Sequence, residues 1–224
     1  MKYILLKNNI ICIIILFYSI FYNNLIFANI HNQQHIEINN SYQITHDDIY
    51  IGNKNANIIL IEYFSFTCPA CVKYHKNTFY KIKTKYIDTN KIAYVFKEIT
   101  TSKIDFDASR ITRYINQYSN KKAYQFLDII LSTQDTWINK ANYLEYFTQI
   151  AQQQKNDLYK IRDYQYNILE KLLRKHNMTF LQNPELIAIP SLVINNIIIN
   201  YLDFFTIDSI LSKIFTNTYY TNTY

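Results

Sequence analysis

Two apolar runs in the first half of the chain predict the buried strands of a sheet. Residues 58–64 are apolar except at Glu62, and residues 92–96 form a second apolar run. Strands that are apolar on both faces are typical of the centre of a sheet that helices cover. We interpret the intervening segment, from about Pro69 to Tyr86, as a helix. The order strand, helix, strand predicts a βαβ unit.

A long block with helical spacing follows this unit. From about residue 104 to about residue 176, apolar side chains recur at intervals of three and four, and no strand pattern interrupts them. The sequence therefore predicts a helical domain inserted into an α/β fold.

The last part of the chain predicts a β-hairpin and a closing helix. Residues 191–194 and 197–199 are largely apolar and flank the pair Asn195-Asn196. Asparagine tolerates the positive φ that a two-residue hairpin turn requires. An amphipathic helix at about residues 207–215 follows, and the polar residues 216–224 are expected to form a tail.

The N-terminal segment predicts export. Lys2 and Lys7 precede an apolar stretch at residues 10–17, and Ala28 offers a small residue for cleavage, which is the arrangement of a signal peptide. An uncleaved membrane anchor is the alternative interpretation of residues 1–28. Residues 29–50 are polar and mixed, and we interpret them as a leader into the fold. Export implies an oxidising compartment, here the periplasm.

Length and charge limit the classes of protein that this chain can represent. Its 224 residues suit one domain with a sizeable insertion. The net charge is +6, but the basic residues are scattered and form no stripe. This distribution gives little support to nucleic-acid binding.

The strongest chemical signal is Cys68-Pro69-Ala70-Cys71, which directly follows the first predicted strand. Two cysteines at this spacing after a strand are typical of a thiol–disulfide redox site. Proline fits the first turn of a helix, so Cys68 is expected at a helix N-terminus. There the helix dipole and free N–H groups stabilise a thiolate. Cys71, one turn later, is then the thiol that resolves a mixed disulfide on Cys68.

Two other interpretations of the cysteine pair stay open on the residues alone. The pair could bind a metal with His75 as a third ligand, but zinc usually takes four ligands. The other cysteine, Cys12, lies in the N-terminal apolar stretch. Two thiolates also suit Cu(I), as in a copper carrier. The pair could instead form an inert structural disulfide.

With these elements in this order, the chain resembles the DsbA family of thioredoxin-fold disulfide oxidoreductases over roughly residues 51–215. The segment from Gly52 through Cys71 is similar to that family's first strand and active-site helix. Four further residues resemble its second insert helix: Phe126, Leu131, Gln134 and Trp137. The resemblance implies a thioredoxin-like fold with an inserted helical domain and no cofactor or metal. It also implies that Cys68 is the exposed nucleophile and Cys71 its buried partner.

The resemblance also assigns roles to Pro190 and Glu62. Pro190 stands where the family has a cis-proline opposite the dithiol, and a residue without an N–H leaves the neighbouring strand edge free to pair with a peptide. Its alternative role is to start an edge strand. Glu62 is similar to an acid of the family, and burial would favour its protonated form, so that it exchanges a proton with Cys71. Lys97 is its candidate ion partner, and a solvent-facing Glu62 at a sheet edge is the alternative.

These features favour an exported dithiol oxidase that introduces disulfide bonds into newly exported proteins with free thiols. A membrane thiol oxidase is expected to regenerate its disulfide. A monomer is expected. Exported isomerases generally carry an N-terminal dimerisation domain, whereas only about twenty residues separate Ala28 from the fold here, which favours the oxidase. A disulfide isomerase or reductase is the nearest alternative, but reductive relatives usually carry Trp where this chain has Thr67.

Overall fold

The computed structural model describes residues 42–153, 166–199 and 201–221, and the side chains of all of these except 166–169 and 217–221. The predicted signal peptide or anchor, and residues 29–41 of the predicted leader, lie outside the described residues. In the part of the chain that is described, no helix combines the length and the apolar composition needed to cross a membrane.

One mixed sheet forms the centre of the fold. Its strands, in the spatial order β1-β3-β2-β4-β5, are β1 Ile49–Gly52, β2 Ile59–Phe64, β3 Ala93–Glu98, β4 Ser191–Ile194 and β5 Ile197–Ile199. Strands β2 and β3 run parallel, whereas the other neighbouring pairs are antiparallel. The predicted βαβ unit is confirmed, and every residue of β2 is buried in the middle of the sheet.

The sequence pattern misses β1, because it assigns these residues to the leader and to a turn. The strand has only four residues, which is too short for an alternating pattern to be recognised. It ends at Gly52, whose φ of +88° lies in the left-handed region. A Cβ at this position would lie 2.3 Å from the carbonyl oxygen of Ile92. Glycine is therefore required where the chain leaves β1 beside the start of β3.

Helices connect and cover these strands. In chain order they are α1 from Pro69 to Ile87, α2 Lys103–Asn116, α3 Asn120–Ser132, α4 Gln134–Trp137, α5 Tyr143–Gln153, α6 Tyr166–Gln182 and α7 Phe204–Thr221. Within α1, π-helical turns at His75–Phe79 and Lys83–Ile87 alternate with the α-helical segments Pro69–Tyr74 and Tyr80–Ile82. Helices α2 to α6 occupy the predicted helical block, and α6 continues past its expected end at residue 176.

The turn between β4 and β5 confirms the predicted hairpin. Asn195 and Asn196 have φ values of +45° and +73°, as a two-residue hairpin turn requires. The end of the chain differs from the prediction, because α7 continues to Thr221 and includes the first part of the expected polar tail. No proline or glycine stands there to terminate the helix.

Helices bury both faces of the sheet. On one face, the ring of Tyr63 in β2 packs against Phe180 of α6, with ring centroids 5.8 Å apart. Because side chains alternate along a strand, Glu62 lies on the opposite face. On that face, Phe79 of α1 packs against Phe96 of β3 at 5.9 Å. Glu62 therefore faces the helix that carries the two cysteines.

Candidate active site

Cys68 is the N-cap residue of α1. Its backbone is extended, with φ −82° and ψ 113°, and Pro69 takes the first helical position, as the sequence predicts. The Sγ of Cys68 accepts a hydrogen bond from the backbone N–H of Cys71 at 3.2 Å. A helix N-terminus presents unpaired N–H groups and the positive end of the helix dipole. This position therefore favours a negative charge on the sulfur.

The two thiols of the site are free and differ in acid strength. A hydrogen bond from the Cys71 side chain, together with the backbone N–H groups of Cys71 and Ala70, lowers the pKa of Cys68 from 9.0 to about 7. Partial burial and the charge of Glu62 oppose this shift. Cys71 is fully buried, and burial raises its pKa far above that of a free thiol. Cys68 is therefore the group that ionises near neutral pH.

A proline loop lies opposite the cysteine pair. The peptide bond between Ile189 and Pro190 is cis, and the carbonyl oxygen of Ile189 is 3.6 Å from Cys68 Sγ. Strand β4 begins at the next residue, Ser191, which pairs with Tyr63 of β2. The structure thus places a cis-proline beside the dithiol, where the family resemblance expects one.

Glu62 is fully buried beneath α1 and belongs to a polar network. The Nε2 of His75 lies 3.0 Å from each carboxylate oxygen, and the hydroxyl of Tyr94 donates to Oε2 at 2.9 Å. The hydroxyls of Tyr74 and Tyr94 are 3.2 Å apart. The predicted burial of Glu62 is confirmed, and the alternative of a solvent-facing acid at a sheet edge is wrong, because β2 lies between β3 and β4.

The prediction that Lys97 pairs with Glu62 is wrong. Lys97 pairs in register with Tyr63, so its side chain lies on the other face of the sheet from Glu62. There its Nζ contacts the buried carboxylate of Asp48. A shift of one residue along a strand reverses the face, and the sequence alone does not fix the register that closely.

His75 is oriented toward Glu62 and stacks on the ring of Phe79, with ring centroids 4.4 Å apart. Its other ring nitrogen, Nδ1, is buried without a hydrogen-bond partner. Within residues 42–153, 166–199 and 201–221, no three His, Cys, Asp or Glu side chains are grouped as metal ligands.

Asp105 is a site residue that the sequence analysis did not identify. Its buried carboxylate accepts hydrogen bonds from the Ser65 hydroxyl at 2.7 Å and from the Thr67 N–H at 2.9 Å. It thereby anchors the turn that precedes Cys68. The spacing Ser102-Lys103-Ile104-Asp105 is a signal for the start of a helix, and α2 begins there. That signal does not reveal the contact with a turn so distant in sequence.

A second anchor and a buried ion pair lie around the same end of the sheet. Gln134 Nε2 donates to the carbonyl oxygen of Phe66 at 2.7 Å. Arg113 Nε donates to Glu98 at the end of β3 at 2.8 Å. Burial is the largest single effect and acts to raise the pKa of Glu98, but the charge and hydrogen bonds of Arg113, together with His176, outweigh it and lower that pKa to about 2. Elements of the helical insert thus hold the ends of β2 and β3.

The sheet topology, the C-x-x-C pair at a helix N-terminus and the facing cis-proline together define a thioredoxin-like protein. The sequence profile of the family described as thioredoxin matches residues 45–213. The chain therefore belongs to the thioredoxin family.

Relatives and solved structures agree with this assignment. A Rickettsia typhi protein with the provisional name protein-disulfide oxidoreductase is 38% identical over 162 residues, which are 70% of this chain and 58% of that protein. A Rickettsia prowazekii protein with the same provisional name is 44% identical over 115 residues, or 50% of this chain and 40% of that protein. The chain thus spans less than two thirds of the length of these relatives.

Among solved structures, the crystal structure of Wolbachia pipientis α-DsbA1 matches with a TM-score of 0.71 at 21% identity. The match covers 82% of this chain and 98% of that chain. It confirms the predicted thioredoxin-like α/β fold with a helical insert.

Of the two cysteines in the described part of the chain, Cys68 should show a thiolate transition with a midpoint near pH 7, since its pKa is lowered into this range while that of Cys71 is raised. Thiolate absorbance against pH measures it, and Cys68→Ser should abolish the transition. Because the pKa of Cys68 is lower in the folded protein, the thiolate adds to the free energy of unfolding. This contribution is complete above pH 9 and is lost as the pH falls through 7. After discounting for solvent screening, the free energy of unfolding changes by at most about 2 kcal/mol between these two pH values. A midpoint near 9 would contradict the assignment.

Proposed function

We propose that this protein is an exported thiol:disulfide oxidase that introduces disulfide bonds into other proteins. One observation carries the proposal: a half-buried Cys68 with a pKa near 7 lies against a fully buried Cys71 whose thiol stays protonated. Such an asymmetric pair directs attack to one sulfur and keeps the other buried. Cys68 is then the nucleophile and leaving group, and Cys71 is the thiol that resolves the mixed disulfide in the reverse direction.

Each cycle exchanges one disulfide for another. A substrate thiolate attacks the Sγ of Cys68, the bond between Cys68 and Cys71 breaks, and its electron pair leaves on Cys71, which takes up a proton. A second thiolate of the substrate then attacks the substrate sulfur of the mixed disulfide, and Cys68 leaves as a thiolate. The substrate loses two electrons as its disulfide forms, and the enzyme gains them as the reduced pair.

Two further residues take part in this proposal. Pro190 would face the substrate peptide, since the carbonyl of the preceding residue already lies 3.6 Å from Cys68 Sγ and peptides can pair with an adjacent strand edge. Glu62 would supply and accept the Cys71 proton, because its carboxylate shares a buried network with His75, one turn along α1 from Cys71.

The proposed partners follow from the chemistry. Substrates are newly exported, unfolded proteins with free thiols, and a membrane thiol oxidase accepts the two electrons and restores the disulfide. We propose the periplasm as the compartment and a monomer as the working form. The resemblance of residues 51–215 to DsbA enzymes supports these assignments, as do the thiol-exchange names of the relatives.

A reductase or isomerase is the second candidate, and one observation favours it. A Cys68 pKa near 7 is closer to that of thioredoxin, about 7, than to that of a strongly oxidising DsbA, about 3.5. Thr67 in place of the Trp of reductive relatives favours the oxidase. The redox equilibrium therefore separates the two candidates.

The equilibrium of the dithiol with glutathione should give a reduction potential above roughly −180 mV for the proposed oxidase. The N–H donors at Cys68 stabilise the reduced form, which makes the disulfide oxidising. The measurement uses the purified protein at several ratios of reduced to oxidised glutathione, with Cys71→Ser as the control without a disulfide. A value near about −270 mV would assign the reductase function instead.

Replacement of Cys71 by serine should trap substrates. In this variant the Cys68 thiolate attacks a substrate disulfide, one substrate sulfur leaves as a thiolate, and the mixed disulfide that forms lacks the Cys71 thiol that would release it. Cells that produce Cys71→Ser should accumulate higher-mass adducts on non-reducing gels, and Cys68→Ser, the matched control, should give none. Mass spectrometry of the adducts would identify the substrates. The opposite pattern would show that the roles of the two cysteines are reversed.

Glu62→Gln should slow exchange by about 10- to 100-fold, because the amide preserves the shape but cannot take up the Cys71 proton. Turnover of a reduced, unfolded substrate across pH 5–9 measures the effect, and the free energy of unfolding of the oxidised protein serves as the control for folding. An unchanged rate at every pH would leave Glu62 with a structural role alone.

A further inference from the structure

We propose that Asp105 is a positioning residue that holds Cys68 in place at the N-terminus of α1. This inference rests on the proposed thiol–disulfide function. Asp105 lies in the first turn of α2 and therefore belongs neither to the cysteine pair nor to α1. It is 1% exposed. Nothing in the oxidation cycle requires it as a proton donor or nucleophile. Its contribution would be geometric.

The carboxylate fixes the turn that leads into Cys68. Oδ1 accepts from the Ser65 hydroxyl at 2.7 Å and from the Thr67 N–H at 2.9 Å, and Oδ2 accepts from the Thr67 hydroxyl at 2.9 Å. The Thr67 N–H is shared with Ser65 Oγ at 3.1 Å. The N–H of Cys68 in turn donates to the carbonyl of Ser65 at 3.3 Å. The residue directly before the nucleophile is thus held at two atoms by one buried group.

The same carboxylate is fixed from its other side by the loop after β3. Oδ2 also accepts from the Thr101 N–H at 3.2 Å, from the Thr101 hydroxyl at 2.8 Å and from the Ser102 hydroxyl at 3.0 Å. Asp105 therefore bridges two loops that the sheet brings to the same end. The bridge fixes the turn at Ser65–Thr67 relative to the helical insert.

The chemistry of the carboxylate indicates why an amide cannot replace it. Burial of a carboxylate is unfavourable unless hydrogen bonds compensate for its lost hydration. Here each oxygen accepts from a backbone N–H, Thr67 on one side and Thr101 on the other. Hydroxyl donors can rotate, whereas backbone donors cannot. An asparagine at 105 would turn its NH₂ group toward one of these N–H groups, and that loop would have to move.

If Asp105 acts by position, its replacement shifts the Cys68 pKa in one direction, and if it acts by charge, in the opposite direction. The charge of Asp105 lies close to the residue before Cys68, so its removal alone would make the thiolate easier to form and would lower the Cys68 pKa. Relaxation of the turn would instead carry Cys68 Sγ away from the Cys71 N–H, now 3.2 Å distant, and would raise that pKa. The sign of the shift therefore decides between the two.

The experiment compares three variants of the full chain. Asp105→Asn removes the bridge, and Ser65→Ala removes one donor while leaving the Asp105 charge in place. Asp48→Asn is the control for loss of a buried carboxylate, because Asp48 is 2% exposed, accepts from Tyr42 and Thr45 and pairs with Lys97 on the sheet face opposite Glu62. Thiolate absorbance gives the Cys68 pKa, and glutathione titration at two pH values gives the redox equilibrium.

We expect the Cys68 pKa to rise by about one unit in Asp105→Asn and by less in Ser65→Ala, with no shift in Asp48→Asn. A rise of one unit from pH 7 makes the disulfide harder to reduce by about twofold at pH 7 and about tenfold at pH 9. A loss of folding stability alone produces no such pH dependence. If Asp105→Asn does not fold, Ser65→Ala decides the question.

Two results would overturn the role of Asp105 and leave the proposed function intact. A lower Cys68 pKa in Asp105→Asn would show that only its charge acts. An unchanged pKa in both variants, with reduced stability, would show a structural role alone. A wild-type midpoint near 9 would overturn the proposed function and this inference together.

Discussion

Negative charge on the Cys68 sulfur is stabilised by donors from the first turn of α1, and the neighbouring elements hold those donors in place. Strand β2 delivers the chain to the start of the helix, and Pro69 begins the helix at the next residue. Asp105 and Gln134 fix the intervening turn from the helical insert. Thiolate stabilisation depends on atoms a few ångströms apart, so rigid support of the turn serves the chemistry as well as the fold.

Glu62 affects both cysteines in the same direction, yet the net pKa shifts of the two thiols are opposite. The charge of Glu62 raises the pKa of Cys68 and of Cys71. At Cys68 the hydrogen bond from Cys71 and the backbone donors prevail, and the pKa falls. At Cys71 complete burial is the largest effect and Glu62 adds to it, so the pKa rises. The difference between the sulfurs thus arises from exposure and donors, while Glu62 alone would make both thiols harder to ionise.

The sequence predicts those parts of the fold that local patterns or single residues determine. The run at 58–64, the proline after Cys68 and the asparagine pair of the hairpin each act within a few residues, and the structure agrees with all three. The roles of Lys97 and Asp105 depend instead on strand register and on contacts between distant loops. A register error of one residue moves Lys97 to the opposite face. The hydrogen bond between Asp105 and Ser65 joins residues that are 40 positions apart in sequence. No local pattern encodes such a contact.

The buried carboxylates of Glu98, Asp105 and Glu62 differ in the hydrogen-bond donors that surround them. Glu98 faces a guanidinium, which does not give up its proton. Asp105 faces hydroxyls and amides, which donate hydrogen bonds but do not ionise near neutral pH. Glu62 faces an imidazole, because the Nε2 of His75 lies 3.0 Å from each of its carboxylate oxygens. In the proposed cycle Cys71 gains or loses a proton, and Glu62 is the carboxylate that lies beneath the helix of the two cysteines and faces an imidazole.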